Sequence, residues 1–205
     1  MSERARLPAH APADVRRKYA GATRFEAVRS EVVSCVKSLD REDQFNIITF
    51  SERARPWKST LVQARPNAKR AALRYLMALA PRTWRSGSRS RHAQRNDRSG
   101  MAAASRAPLQ SPADIYGALR LALGLSLADH ADWKSRCAAD TVLLFTAQFP
   151  GAGEIHDAGE LVRAVSELNV TRGVVFHLVS CNEWLHTRMA PLAWDNGGRY
   201  VLLSR

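Results

Sequence analysis

The chain has 205 residues, of which 45% are hydrophobic, and its formal net charge is +12. This length and composition are typical of one soluble globular domain and exclude a chain dominated by disorder. No apolar run approaches the roughly 18 residues that cross a bilayer, and no apolar core of a signal peptide follows the basic N-terminus. We therefore expect a cytoplasmic protein, unless the native N-terminus lies upstream.

The first half of the chain predicts two helices and one strand. Apolar residues recur at spacings of three and four across residues 24–38 and again after Pro66, which suits a first helical position. Residues 45–50 form a short apolar run that predicts a strand. The predicted core-facing residues are Phe25, Val28, Val32, Cys35 and Leu39 in the first helix, and Leu73, Leu76, Met77 and Ala80 in the second.

The second half begins with a helix start signal, in which Ser111 is the predicted N-cap, Pro112 the first helical residue and Asp114 a first-turn carboxylate. Its inward residues are predicted to be Ile115, Leu119, Ala122 and Leu123. Further on, the pattern predicts strands at 141–146, 173–180 and 200–203, helices at 158–168 and 183–194, and a turn at 196–198. Strands that alternate with helices predict an α/β fold, with a doubly wound, mostly parallel sheet and helices on both faces.

Five phrases in this order resemble the bacterial type of von Willebrand factor A (VWA) domain. They are Asp43 to Ser51, Arg55-Pro56-Trp57, Asp114 to Leu119, Thr141 to Pro150 and Asn196 to Tyr200. The resemblance covers about residues 24–203 and implies a Rossmann-like fold. It also implies a metal-ion-dependent adhesion site at the carboxyl ends of the strands, where an Mg²⁺ or Ca²⁺ ion accepts a partner's carboxylate.

The ligands of that adhesion site are degenerate in this sequence. The family's Thr position is Ala113, beside Asp114, and its Asp position after the central strand is Ala147. A methyl group cannot coordinate a cation. The family's first strand and its Asp-x-Ser-x-Ser loop are also missing, because residues 1–23 contain two prolines and no apolar run. We therefore expect no metal and no other cofactor at these vestigial positions.

The missing strand has a mechanical consequence. In the family it lies between the strands that correspond to residues 45–50 and 141–146. We expect these two strands either to close against each other, or to leave unpaired backbone groups that invite a strand from another chain. An irregular N-terminal segment at 1–23 filling the gap is a third alternative.

An arginine-rich segment interrupts the domain at about residues 82–110, where it predicts an exposed, disordered insertion. Between residues 82 and 106 there are seven arginines and one acidic residue. Flexible arginine-rich segments bind polyanions such as nucleic acid or anionic surfaces, but arginine outnumbers lysine 26 to 5 throughout the chain, which argues for a composition bias. The candidate contacts are Arg82, Arg85, Arg89, Arg91, Arg95 and Arg98.

No motif predicts catalysis. The three cysteines lack a paired spacing, so that Cys35 is predicted to be a small core residue and Cys181 a reactive thiol at most. The six histidines form no metalloprotease pattern, and His177 is predicted to be a buried or hydrogen-bonded residue of a strand. No glycine-rich phosphate loop follows a strand. We expect no enzyme activity.

These observations predict a scaffold or protein-interaction domain of VWA type that has lost metal-dependent ligand binding. The loops around Ala113, Ala147 and Cys181 are its predicted contact surface, and the partner is an unidentified protein. The alternatives are polyanion binding through the arginine-rich loop, a truncated and non-functional gene product, and an adhesin whose first strand was lost to a wrong gene start.

Overall fold

The computed structural model describes residues 23–79, 113–125, 139–146, 148–180, 182 and 184–203. Several sequence predictions therefore lie outside the described residues. These are the irregular segment at 1–22, the arginine-rich insertion at 82–110, the cap signal at Ser111 and Pro112, and the residues Ala80, Ala147 and Cys181.

The main sheet has three parallel strands in the order β5-β6-β7, which are Thr141–Thr146, Val175–Ser180 and Tyr200–Leu202. Thr141 pairs with Val175, and Leu178 pairs with Tyr200. Each strand is followed or preceded by a helix, as a parallel connection requires. Helix α4 (Ala158–Asn169) links β5 to β6, and helix α5 (Trp184–Trp194) links β6 to β7. The predicted α/β architecture, with a parallel sheet flanked by helices, is confirmed.

Helix α3 (Ile115–Ala122) precedes the strands of this sheet in the chain, and the remaining elements lie before α3. They are helices α1 (Arg24–Ser38) and α2 (Pro66–Ala78), and four short strands in two antiparallel pairs. Strand β1 (Gln44–Phe45) pairs with β4 (Val62–Gln63), and β2 (Ile48–Phe50) pairs with β3 (Ala54–Pro56). None of the helices in these described ranges is long and apolar enough to cross a membrane.

The single strand predicted at 45–50 is wrong, because the structure divides it at Asn46. The Asn46 side chain donates to the Lys58 carbonyl oxygen at 2.7 Å, and its Oδ1 accepts from the amides of Ile47 and Lys58 at 2.8 and 3.1 Å. An asparagine that bonds nearby backbone groups competes with a strand ladder. Residues on either side of Asn46 consequently pair with different strands.

The buried helix faces were predicted only in part. Ile115, Leu119 and Leu123 are buried as expected, whereas Ala122 is half-buried. In α2 the prediction for Met77 is wrong, since 63% of this residue is exposed, and Ala72 is buried instead. In α1 the fully buried residues are Ala27 and Val36. The five residues predicted to face the core are half-buried, Cys35 among them, and two of them, Val32 and Leu39, pack against a hydrophobic cluster.

The described residues form two hydrophobic clusters in this arrangement. The main cluster joins α3, α4 and α5 to the parallel sheet and contains fully buried residues such as Phe176 and Leu178. The small cluster lies among α1, α2 and the short strands, where Val36 and Leu76 pack with Phe45. Phe50 at the end of β2 packs against the main cluster.

Candidate functional site

The carboxyl ends of β5 and β6 lie side by side and end in the same local turn. Thr146 and Ser180 are register partners. The Thr146 hydroxyl accepts from the Gln148 amide at 3.1 Å and donates to the Gln148 carbonyl oxygen at 3.0 Å. The Ser180 hydroxyl makes the equivalent two bonds with Asn182, at 2.9 and 3.1 Å. Two hydroxyl groups therefore set the direction in which both loops leave the sheet.

The backbone of Ala113 and Asp114 joins the loops that follow β2 and β5. The Asp114 amide donates to the Ser51 carbonyl oxygen at 2.7 Å. On the other side Ala113 forms a parallel bridge with Pro150, and the Gly151 amide donates to the Ala113 carbonyl oxygen at 3.2 Å. This link places Asp114 at the carboxyl edge of the sheet, where ligands bind in open α/β folds.

The Asp114 carboxylate has a structural role at this edge. It is the N-cap of α3, and its Oδ1 accepts from the Gly117 amide at 2.9 Å. A Cβ atom on Gly117 would lie 2.4 Å from Asp114 Oδ2, and one on Gly153 would lie 2.1 Å from Oδ1. Gly153 also has a φ of +83°, which favours glycine. Two glycines thus enclose the carboxylate, and Asp114 is only 8% exposed.

An ion pair fixes the loop beside Asp114. The Arg120 guanidinium, which is buried, donates to Glu154 Oε2 at 3.1 Å and lies 5.7 Å from the centroid of the Tyr116 ring. Burial raises the pKa of Tyr116 above its ordinary value, although the neighbouring Arg120 charge opposes this shift. The Glu154 side chain is 55% exposed. Glu154 is therefore the acidic group that this edge presents to solvent beside the buried Asp114.

The sequence located part of this site. Ala113 and Asp114 lie together at the sheet edge, but the prediction of Asp114 as a first-turn residue is wrong, because Asp114 is itself the cap. The Ala113 side chain is fully buried and is not part of a contact surface. The pair of Arg120 and Glu154 was missed, since 34 residues separate its members. The only feature of the sequence that indicated a role for Arg120 was its spacing of four residues from Tyr116.

Other predicted residues have the following positions. His177 is a hydrogen-bonded residue of β6 as predicted, since its Nδ1 accepts from the Arg199 amide at 3.1 Å. Ala147 and Cys181 lie outside the described residues. So do the candidate polyanion contacts, which are Arg82, Arg85, Arg89, Arg91, Arg95 and Arg98.

The described side chains at this edge do not fit the divalent cation that the VWA resemblance implies. Ala113 offers only a buried methyl group, and Asp114 is buried with its Oδ1 bonded to the Gly117 amide of its own helix. Across the part of the chain that the structure describes, no group of three or more His, Cys, Asp or Glu residues is placed to hold a metal ion.

Comparison with known structures finds the same architecture. A search of solved structures matches the chain to an aerotolerance-related membrane protein from Bacteroides fragilis NCTC 9343, with a TM-score of 0.50 and 12% sequence identity. The match covers 88% of this chain and 81% of that one. No protein-family model matches the chain, and a comparison with curated proteins finds no match. At this identity the likeness shows a shared fold.

Proposed function

We propose that this chain is a non-enzymatic protein-interaction domain of VWA type that binds its partner without a metal ion. The exposed part of the carboxyl edge, around Glu154 and the loops after β5 and β6, is the proposed contact surface. The VWA resemblance of five sequence phrases supports the type of domain, and the shared fold with the aerotolerance-related protein agrees with it.

The enclosed carboxylate of Asp114 carries the metal-independent part of this proposal. Cation binding needs carboxylate oxygens that are free to coordinate, whereas Asp114 is buried and its Oδ1 accepts a hydrogen bond from the Gly117 amide. The loops of the edge are also connected within the protein, by the ion pair of Arg120 with Glu154 and by the bridge of Ala113 with Pro150. A preformed edge loses less conformational entropy when it binds a partner.

Photo-cross-linking tests the position of the contact surface. A photoreactive amino acid replaces Glu154 at the edge or, as the matched control, Glu167, which is exposed near the opposite end of α4. Both variants are irradiated in extract of the source cells with Mg²⁺ or with a chelator. The proposal predicts one discrete cross-linked protein from position 154, with equal yield in both buffers.

The control makes the outcome decisive. Cross-linking at position 167 with the same partner and equal yield would place the contact elsewhere, and loss of the product in chelator would show that the interaction needs a metal. Absence of any product from position 154 would also contradict the proposal. Polyanion binding by the arginine-rich segment stays a prediction, since that segment lies outside the described residues.

A further inference from the structure

The inner edge of β5 has no hydrogen-bonding partner among the described residues. The Val175 amide donates to the Asp140 carbonyl oxygen, and in a parallel pair this register directs the backbone groups of Val142, Leu144 and Thr146 towards β6. The amides and carbonyl groups of the alternate residues point the other way, away from the sheet. These residues are Thr141, Leu143 and Phe145.

Strand β2 presents a second unpaired edge. The Trp57 amide donates to the Ile47 carbonyl oxygen, and the Ser51 amide donates to the Arg53 carbonyl oxygen. This register places the backbone amide and carbonyl group of Thr49 in the ladder with β3. The backbone groups of Ile48 and Phe50 therefore point away from β3. In the described part of the chain, β2 pairs only with β3 and β5 only with β6.

The two unpaired edges belong to one gap, because their carboxyl ends are joined by a single stretch of backbone. Asp114 bonds to Ser51 directly after β2, and Ala113 bridges Pro150 in the loop after β5. One extended segment thus separates the ends of the two strands. Below it, no strand of the described residues pairs with either edge across the space between β2 and β5. We call this space the β2/β5 gap.

The side chains around the gap are apolar on both faces of β5. Val142 and Leu144 pack in the main cluster, and on the opposite face Phe145 is half-buried while Leu143 is 46% exposed. Helix α1 contacts β5, and helix α3 contacts β2 and β3. An exposed large apolar residue in the middle of a strand, together with an unpaired strand edge, marks a place where the sheet could accept a further strand.

We propose that the β2/β5 gap accepts one extended strand from a partner polypeptide, with apolar side chains on both faces and no proline. The gap favours a lone strand over a second copy of this chain. A copy's β5 would bring β6 on its other edge, and a copy's β2 would bring β3, so neither has two free edges to offer. This inference does not depend on the carboxyl-edge contact surface.

The stretches of this sequence outside the described ranges lack the pattern of such a strand. Residues 1–22 contain Pro8 and Pro12, which lack amide donors. Residues 80–112 and 126–138 contain no run of large apolar residues. A strand added to a sheet edge gains affinity from main-chain hydrogen bonds and specificity from alternate side chains.

A synthetic peptide tests the proposal with the whole chain. The probe is a fluorescent decapeptide with a Val-Ile-Val-Ile-Val-Ile core and two lysines at each end, and its control has the same side chains but N-methylated amides at alternate core positions. We expect saturable binding of the probe and an affinity at least about tenfold lower for the control, because one to several backbone hydrogen bonds are lost. Equal affinity of the two peptides would overturn the proposal.

Amide hydrogen exchange identifies the site and the alternative occupants. In the free protein we expect fast exchange at Leu143 and Phe145 and slow exchange at Leu144, and the probe should slow the first two. Protection of Leu143 and Phe145 before the probe is added would show that the chain fills the gap itself, or that two copies do so if the protection depends on protein concentration. Either result overturns the proposal.

A pair of variants locates the peptide on the protein. Leu143→Pro removes one outward amide of β5 without a loss in the β6 ladder, and Leu202→Pro does the same on the outer edge of β7. We expect the first variant to weaken probe binding at least about tenfold and the second to leave it unchanged. Equal effects of the two substitutions would contradict binding in the gap.

Discussion

The two hydrophobic clusters of the described residues are built from different kinds of strand. The main cluster rests on strands of up to six residues that pair in parallel and are covered by helices. The small cluster depends on strands of two or three residues, and on the stacked rings of Phe45 and Trp57, whose centroids are 5.8 Å apart. The main cluster contains many more buried residues than the small cluster, whose buried members include Val36, Ala72 and Leu76.

The boundary between the two clusters coincides with the β2/β5 gap. The β2/β5 gap lies where a strand of the small region meets the edge of the parallel sheet, and among the described residues the link through Ala113 and Asp114 joins the two strand ends. The main cluster should therefore dominate the global stability. Substitutions in the small region and in the link should change the free energy of unfolding by smaller amounts.

The largest expected effect is in the main cluster. Phe176 on the central strand is 1% exposed, so Phe176→Ala should lower the free energy of unfolding by about 3–5 kcal/mol, through lost burial and the cavity that remains. The measurement is urea unfolding at neutral pH. Val201→Ala, at an exposed position of β7, is the control and should change stability by less than about 0.5 kcal/mol; similar losses in both would show that β6 is not the centre of the core.

Two neighbouring glycines give the next effect. A Cβ on Gly198 would lie 1.7 Å from the Phe176 carbonyl oxygen, whereas a Cβ on Gly197 would meet nothing within 4 Å. Gly198→Ala should thus destabilise by about 3 kcal/mol because backbone must move. Gly197→Ala should cost only about 1 kcal/mol, for its left-handed conformation. Thermal melting of both variants tests this order, and the reverse order would contradict the described turn.

At the link between the regions, Asp114→Ala should destabilise by about 1 kcal/mol, because α3 loses its N-cap bond. Asp114→Asn is the matched variant, since asparagine is an equally good cap and keeps most of the stability. Denaturant unfolding distinguishes them. If asparagine costs as much as alanine, the negative charge of Asp114 has a role beyond capping.

Within the small region, the Tyr75 hydroxyl lies 3.0 Å from Thr49 Oγ1. Tyr75→Phe removes this hydrogen bond and retains the ring, so we expect a loss of roughly 0.5–1.5 kcal/mol in unfolding experiments. The double variant with Thr49→Val should cost no more than the sum of the single changes. A stability equal to that of the unchanged protein would show that the bond contributes nothing.

The smallest effects concern the caps on the surface. The Thr23 amide bonded to Glu26 lowers the pKa of Glu26, and the Glu160 amide bonded to Asp157 lowers the pKa of Asp157. A lowered pKa stabilises the fold above the ordinary carboxyl pKa of about 4, and this contribution disappears as the pH falls through the lower folded value. Glu26→Ala should therefore destabilise at pH 7 and have a smaller effect at pH 2.5. Glu167→Ala is the control, and an effect of Glu26→Ala that is equal at both pH values would contradict this account.

The parallel sheet could be predicted from the sequence, because strands buried in such a sheet are apolar runs, as at Thr141–Thr146. The division of residues 45–50 into two strands could not be predicted, because it depends on the hydrogen bonds of the Asn46 side chain with Lys58, which is twelve residues away. The cap of α3 was ambiguous for a similar reason. Ser111 and Asp114 are both good caps by residue type, and the proximity of Gly153 to the Asp114 carboxylate arises only in the folded chain.

The central claim is that the carboxyl edge is complete without a metal ion. The most direct test is calorimetric titration of the purified chain with Mg²⁺ and Mn²⁺, together with thermal melting in each ion, for the unchanged protein and for Asp114→Asn. We predict no saturable heat and no change of Tm in either protein. Saturable binding with a raised Tm, lost in Asp114→Asn, would contradict the account and assign the Asp114 carboxylate to a cation.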